Sequence, residues 1–310
     1  MPLPRRLKAD LALLAVCGIW GSTFVVVKNA LADASPLVFL SLRFFLATAI
    51  LLALFGRGFL AARPGVARAG AVIGALLCAG YIFQTVGLQY TTASKSAFIT
   101  TLSSVLVPLL AVAVLRRRPS SWAVLGLGIA AAGAYFLTIP AGEFTLARGD
   151  LITFFCTVAF AGHIVAIGHY APRYGFSALA LGQVATALVL AGVAIPLGAL
   201  TGLEAPRVAW TGNLLGALVV TAVLATVLAF SVQTWAQQFT PATHTAVIFT
   251  TEPVFAAVTS YLVLGESLGE RGTLGAVLIL AGVLVAELLG HTPAGVPGSA
   301  AANPEGGERV

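Results

Sequence analysis

The feature that most constrains this chain is the length and regularity of its apolar runs. A helix needs about 20 apolar residues to cross a hydrocarbon core of roughly 30 Å. Runs of that kind occupy 11–31, 36–55, 70–90, 93–115, 121–139, 149–170, 176–200, 213–236, 242–264 and 272–289. Short breakers separate them, among them Pro36, Pro64-Gly65, Pro119, Pro140, Pro172, Pro206 and Pro241. Charged residues make up 9% of the chain, against about 25% in soluble domains, and the mean hydropathy is +0.98. Lipid offers backbone groups no hydrogen-bond partners, so the runs must be helices. Transmembrane strands would need alternating segments of about ten residues, which the sequence lacks. The expectation is an all-α polytopic membrane protein with ten transmembrane helices.

Basic residues set the expected orientation, because cytoplasmic loops favour Lys and Arg. With the N-terminus inside, that side receives Arg5, Arg6, Lys8, Arg57, Arg63, Arg68, Arg116, Arg117, Arg118, Arg173 and Arg309. The far side receives only Lys28, Lys95, Arg148, Arg207 and Arg271. Both termini are therefore expected in the cytoplasm, and the first apolar run is expected to stay as a resident helix. The net charge of +6 then reflects topology, with no nucleic-acid partner implied. Cys17, Cys78 and Cys156 fall inside apolar runs at no metal-like spacing and read as packing residues. No cofactor or metal is expected. Residues 291–310, rich in Gly, Pro, Ala and Glu, read as a disordered cytoplasmic tail.

The chain also repeats itself. Laid on itself with Gly133 on Gly282, it matches Gln84, Gln89, Thr91, Thr101 and Gly126 to Gln233, Gln238, Thr240, Thr250 and Gly275. A second, weaker register lays Asp10-Leu11 on Asp150-Leu151, Trp20 on Phe160 and Arg43 on Gln183. The change of register implies a longer connection before the eighth run. The repeats are assigned to 10–140 and 149–290, behind an N-terminal segment at 1–9. Each holds five runs, an odd number, so the second copy enters the membrane inverted. Inverted five-helix repeats suit a secondary transporter, whose halves exchange shapes around one central site.

Several short words suggest a family. They are Trp20-Gly21-Ser22-Thr23-Phe24, Leu42-Arg43-Phe44, Gly87-Leu88-Gln89-Tyr90-Thr91, Ala97-Phe98, Glu252-Pro253-Val254-Phe255 and Leu264-Gly265-Glu266. As a set they resemble the EamA-type members of the drug/metabolite transporter superfamily, over about residues 10 to 290. The resemblance implies ten-helix transporters of amino acids, other metabolites or drugs, in the cytoplasmic membrane. The expected function is secondary active or facilitative transport of small metabolites, amino acids or related amphipathic compounds in the efflux direction. A nucleotide-sugar or lipid-linked sugar transporter of the same architecture is the alternative. The chain is expected to be a monomer or homodimer among membrane lipids, with protons as a candidate coupling partner.

Among candidate site residues, Glu252 stands first, being an acidic residue placed near mid-membrane, where an ionisable group costs several kcal/mol unless partnered. Thr245, Phe249, Glu252 and Ala256 form one helical stripe, and Ser96, Thr100, Ser103 and Val107 form its counterpart. Ser103 faces Glu252 across the repeat, so the carboxylate occurs once. Glu252 reads as a proton-titrating or amine-binding group, or more plainly as interhelical structure. Pro253 is expected to free the Phe249 carbonyl. Arg43 reads either as a snorkelling anchor or as a receiver of substrate carboxylate. Gln84 and Gln233 read as a repeat-related amide pair at the site, or as interhelical glue. Tyr81 lies one turn from Gln84, Trp20 offers an aromatic wall, and His163 is a candidate proton donor to Glu252. Lys95 and His244 hold equivalent positions at opposite faces, with gate and anchor roles both open.

An intramembrane enzyme is the competing class. It would need clustered carboxylates, a His-Glu-x-x-His or a Ser-His-Asp grouping, and none is visible. Gly126, Gly128 and Gly133 mimic a nucleotide loop but fall inside an apolar run, where they serve helix packing.

Overall fold

The computed structural model describes residues 4–116, 119–139, 142, 147–264 and 269–289. Residues 291–310, read above as a tail, lie outside the described residues. Among the described residues, ten helical spans follow one another, with no strand beyond an isolated bridge between Ala34 and Val208. The first three are Arg5–Ala30, Pro36–Leu60 and Val66–Leu88. The fourth is made of Ala93–Thr101 and Ser103–Leu115, and the fifth is Ser121–Thr138. The second repeat begins with Arg148–Tyr174 and Phe176–Leu200 as sixth and seventh spans. Its eighth is Gly212–Ala236, its ninth is Ala242–Phe249 with Glu252–Leu264, and its tenth is Glu270–Leu289. Seven of these helices are long and apolar enough to cross a bilayer, and the fifth span holds a shorter apolar helix, Ser121–Leu137.

The spans differ from the sequence reading in instructive ways. The first helix starts at Arg5, so Arg6 and Lys8 sit on its opening turns and not in a separate segment. Pro172 does not break the sixth span but rides in its last turn, which ends at Gly175 with φ +78°. That angle is left-handed and suits glycine. Three spans expected to be continuous are interrupted. The fourth and ninth tighten into short i→i+3 steps at matching places. Leu102 N donates to Ile99 O and Val105 N to Leu102 O, both at 3.0 Å. Their repeat counterparts do the same, Thr251 N to Ile248 O and Val254 N to Thr251 O, again at 3.0 Å. Pro253 withholds a backbone donor in the ninth span, while Thr250 and Thr251 turn their hydroxyls back to Val247 O and Ile248 O at 2.6 and 2.7 Å. The eighth span opens into a π turn at Val223–Leu228.

Packing runs mainly between the repeats. The fifth span lies along the tenth, the third along the sixth and seventh, and the second along the seventh. Glycines permit the closest approaches. A Cβ on Gly133 would meet the Gly275 carbonyl at 2.7 Å, and one on Gly282 would meet Ala130 N at 2.7 Å. Small residues that let helix backbones touch are the usual means of association where lipid removes the hydrophobic drive. Large apolar side chains such as Phe45, Leu54, Leu151, Val189 and Leu284 are more than half exposed around the outside. Water would not tolerate so continuous an apolar coat, and lipid would cover it.

The longer connection expected before the eighth span is present at 201–211, against 61–65 in the first repeat. It is stapled onto the turn between the first two spans. Arg207 donates to the carbonyls of Leu31 and Ala32 at 2.8 and 2.6 Å. Asp33 accepts from Thr211 and Asn213 at 2.7 and 2.8 Å. Those two hydrogen bonds hold the Asp33 carboxyl below its ordinary value.

Candidate functional site

The interrupted spans meet around one cavity whose wall mixes aromatic and polar side chains, the kind of lining that small-molecule sites use. All eight residues singled out from the sequence line it: Trp20, Arg43, Tyr81, Gln84, Ser103, His163, Gln233 and Glu252. They come from the first, second, third, fourth, sixth, eighth and ninth spans, so both repeats contribute. The tightened steps in the fourth and ninth spans place Ser103 and Glu252 at the start of their second half-helices. Glu252 thus keeps its place near the middle of its span but stands at the N-terminus of a half-helix, where backbone N–H groups favour negative charge. The two polar stripes reach the cavity only at this level, through Thr100, Ser103, Phe249 and Glu252. Further along, Ser96, Thr245 and Val107 are fully buried in packing.

Arg43 is 2% exposed and does not snorkel. It donates through Nε to Thr226 Oγ1 at 2.7 Å, and through Nη2 to the Tyr81 hydroxyl at 2.9 Å and the Ala225 carbonyl at 3.2 Å. Its guanidinium also lies 4.4 Å from the Tyr81 ring centre, a cation–π contact. Among the described residues, neither Arg43 nor Glu252 has an ion-pair partner. Tyr81 stands within electrostatic reach of both. One cavity therefore carries a fixed cation and an acid that the fold does not neutralise against each other.

Trp20 does form an aromatic wall. Its ring centre lies 5.4 Å from that of Phe230 and 5.2 Å from that of Phe249. Its N–H is spent on the Ala225 carbonyl at 3.0 Å, so the cavity receives the ring and not the donor. His163 bonds to Gln183 Oε1 at 2.8 Å, and Gln183 passes on to Thr234 Oγ1 at 3.0 Å. That chain ties the sixth, seventh and eighth spans together. The two amides share the cavity but not their contacts. Gln84 donates to Thr100 Oγ1 at 3.0 Å and Gln233 to Gln237 Oε1 at 3.1 Å. Gln233 Oε1 is buried without a protein partner, an acceptor left for an occupant of the cavity.

The sequence reading missed Thr226 and Phe230, and it had Thr100 only as a member of a helical stripe. Phe160 was visible only as the repeat partner of Trp20. The cavity leans toward the end of the bundle away from the N-terminus, where Val27, Thr85 and Leu88 line it. Their counterparts Ile167, Thr234 and Gln237 are packed shut. At the N-terminal end Thr240 Oγ1 donates to Asp10 at 2.7 Å, beside His244 at 3.4 Å. At the far end Thr91 donates to Asp150, the repeat-equivalent pair. Each of these bonds crosses from one repeat to the other.

The comparisons with known proteins agree with this architecture. The model of the EamA-like transporter family matches residues 7–139 and again residues 147–288. Two proteins of Archaeoglobus fulgidus, each described as an uncharacterized transporter, are similar along nearly the whole chain. One is 36% identical, over 92% of this chain and 87% of its own length. The other is 25% identical, over 92% of this chain and 99% of its own. A solved crystal structure superposes with a TM-score of 0.76 at 20% identity, covering 91% of this chain and 97% of that one. That likeness concerns the fold. With two family matches that together span almost all of the ten-helix bundle, the chain belongs to the EamA-like transporter family.

Proposed function

We propose that this membrane transporter carries zwitterionic, partly apolar metabolites, amino acids or related amphipathic compounds, across the cytoplasmic membrane by alternating access, in the export direction. The observation that carries this reading is the pair of uncompensated groups, Arg43 and Glu252, on one cavity walled by aromatic rings. Arg43 suits a carboxylate, Glu252 suits an ammonium or a coupling proton, and Trp20, Phe230 and Phe249 suit an apolar side chain. A nucleotide sugar or lipid-linked sugar fits less well. Phosphate calls for two or more basic groups at depth, and Arg43 is the one Lys or Arg among the described lining residues.

The deciding experiment is counterflow of a labelled panel, amino acids first, into liposomes holding the purified protein. Uptake of amino acids but not of nucleotide sugars is expected, and the reverse preference would overturn the reading. Inside-out and right-side-out vesicles then read the direction. The distribution of basic residues supports cytoplasmic termini. Reporter fusions after Leu60 and after Glu143 should report inside and outside respectively, and the same compartment for both would refute that orientation.

A further inference from the structure

The π turn in the eighth span is not demanded by the architecture, because the third span, its repeat counterpart, runs unbroken from Val66 to Leu88. π turns of this kind occur frequently at functional sites. Here the turn presents two acceptors to the cavity wall. The Ala225 carbonyl accepts from Arg43 Nη2 at 3.2 Å and from Trp20 Nε1 at 3.0 Å. Thr226 Oγ1 accepts from Arg43 Nε at 2.7 Å while donating to Thr221 O, five residues back, at 2.8 Å. Tyr81 takes the other Nη2 hydrogen at 2.9 Å.

A guanidinium has N–H donors on three nitrogens. The Nε hydrogen and both Nη2 hydrogens are engaged, while Nη1 makes no hydrogen bond among the described residues. Tyr81, having accepted from Arg43, keeps its own O–H proton to give, and both side chains line the cavity. The geometry points to Thr226 as the positioning residue for a substrate carboxylate. By holding the Nε edge of Arg43 against the eighth span, it leaves Arg43 Nη1 and the neighbouring Tyr81 hydroxyl as a donor pair for one carboxylate. The usual two-nitrogen fork of arginine is occupied by the protein, so the carboxylate bridges the second and third spans instead of resting on arginine alone. This inference rests on the reading that the cavity takes a zwitterion.

The test uses the full chain in lipid nanodiscs, with phenylalanine and its decarboxylated counterpart phenethylamine as probes, chosen for the aromatic lining. Thr226→Val keeps the shape and removes the hydroxyl, while Thr226→Ser keeps the hydroxyl. Hydrogen bonds to charged groups contribute about 1.5–3 kcal/mol, so Thr226→Val should weaken phenylalanine binding roughly ten- to hundredfold. Phenethylamine binding should stay unchanged, and Thr226→Ser should bind phenylalanine as the wild type does. Equal weakening of both probes, or of neither, would overturn the role of Thr226. A wild-type protein indifferent to the carboxylate, with Arg43→Gln equally indifferent, would refute the zwitterion reading instead. In that case the donor pair has no carboxylate to hold, and the role given to Thr226 falls with it.

Discussion

The first and second repeats share their joints and differ in their chemistry. The Asp10–Thr240 and Asp150–Thr91 bonds are repeat equivalents, and so are the tightened steps in the fourth and ninth spans. Gly126 and Gly133 pack on the tenth span as Gly275 and Gly282 pack on the fifth. The cavity wall breaks this likeness. Arg43 stands where the second repeat has Gln183, Ser103 where it has Glu252, Thr23 where it has His163, and the π turn occurs in the eighth span but not in the third. The symmetric features lie where helices pack and cross-link, while the asymmetric ones gather at the cavity wall. A duplicated scaffold needs matched joints to exchange shapes, whereas the zwitterion proposed as cargo is itself asymmetric and would need unlike ends.

The comparison can be broken most severely at Arg43. Arg43→Gln makes the first repeat resemble the second, and carboxylate-bearing solutes should lose about 3 kcal/mol of binding, roughly a hundredfold. Thermal stability in detergent should fall much less, because glutamine can still bond to Thr226 or Tyr81. Full retention of transport would mean that Arg43 is structural after all.

Glu252→Gln removes the charge and keeps the shape. If Glu252 receives the substrate ammonium, gradient-driven accumulation and one-for-one exchange should fall together, by about tenfold or more. Loss of accumulation with intact exchange would move Glu252 from recognition to proton coupling. An unchanged pH profile with unchanged accumulation would leave it neither role.

The symmetric joints sharpen the comparison from the other side. Gly133→Val and Gly282→Val should destabilise the protein by similar amounts, about 1–3 kcal/mol each from overpacking, as read by thermal unfolding in detergent. Substrate preference should not change in either, and a shift in preference from one of them would undo the division between joint and site. The smallest effect belongs to the amides. Interhelical hydrogen bonds average about 0.6 kcal/mol, so Gln84→Ala and Gln233→Ala should leave folding near normal. Transport should drop severalfold, with Gln233→Ala the more damaging because its buried Oε1 has no protein partner. Wild-type rates in both would remove them from the site.

Much of this was legible in the sequence, for physical reasons that can be named. Apolar run length reports spans because the bilayer fixes the length, and Gln84, Thr91 and Gly133 report the repeat because polar and glycine positions are costly to coincide by chance in an apolar chain. The site residues were legible because a polar group at membrane depth needs a purpose. The interruptions were not equally visible. Pro253 marks the ninth span, but Ser104 stands at the matching place in the fourth, so nothing in that span's composition announces its tightened step. The π turn at Val223–Leu228 lies in an unremarkable apolar stretch, and Thr226 within it looks like any β-branched packing residue. Its importance comes from Arg43, 183 residues away in sequence, and only the fold brings the two together. Helix ends were misjudged where Arg5 and Arg6, read as an N-terminal segment, and Pro172, read as a breaker, are tolerated in a first or last turn.

The stapled connection at 201–211 has a consequence for how the molecule divides. Arg207 and Asp33 fasten the tips of the first two spans, which belong to one repeat, to the link between the seventh and eighth, which belong to the other. Bodies joined this way translate and rotate as one. The unit of inheritance in this chain is the five-helix repeat, but these bonds predict a unit of motion that cuts across it, with pieces of both copies riding together. Two spin labels, one beside Asp33 and one beside Val208, would keep a constant separation through the whole cycle, while labels within a single repeat would drift apart and return.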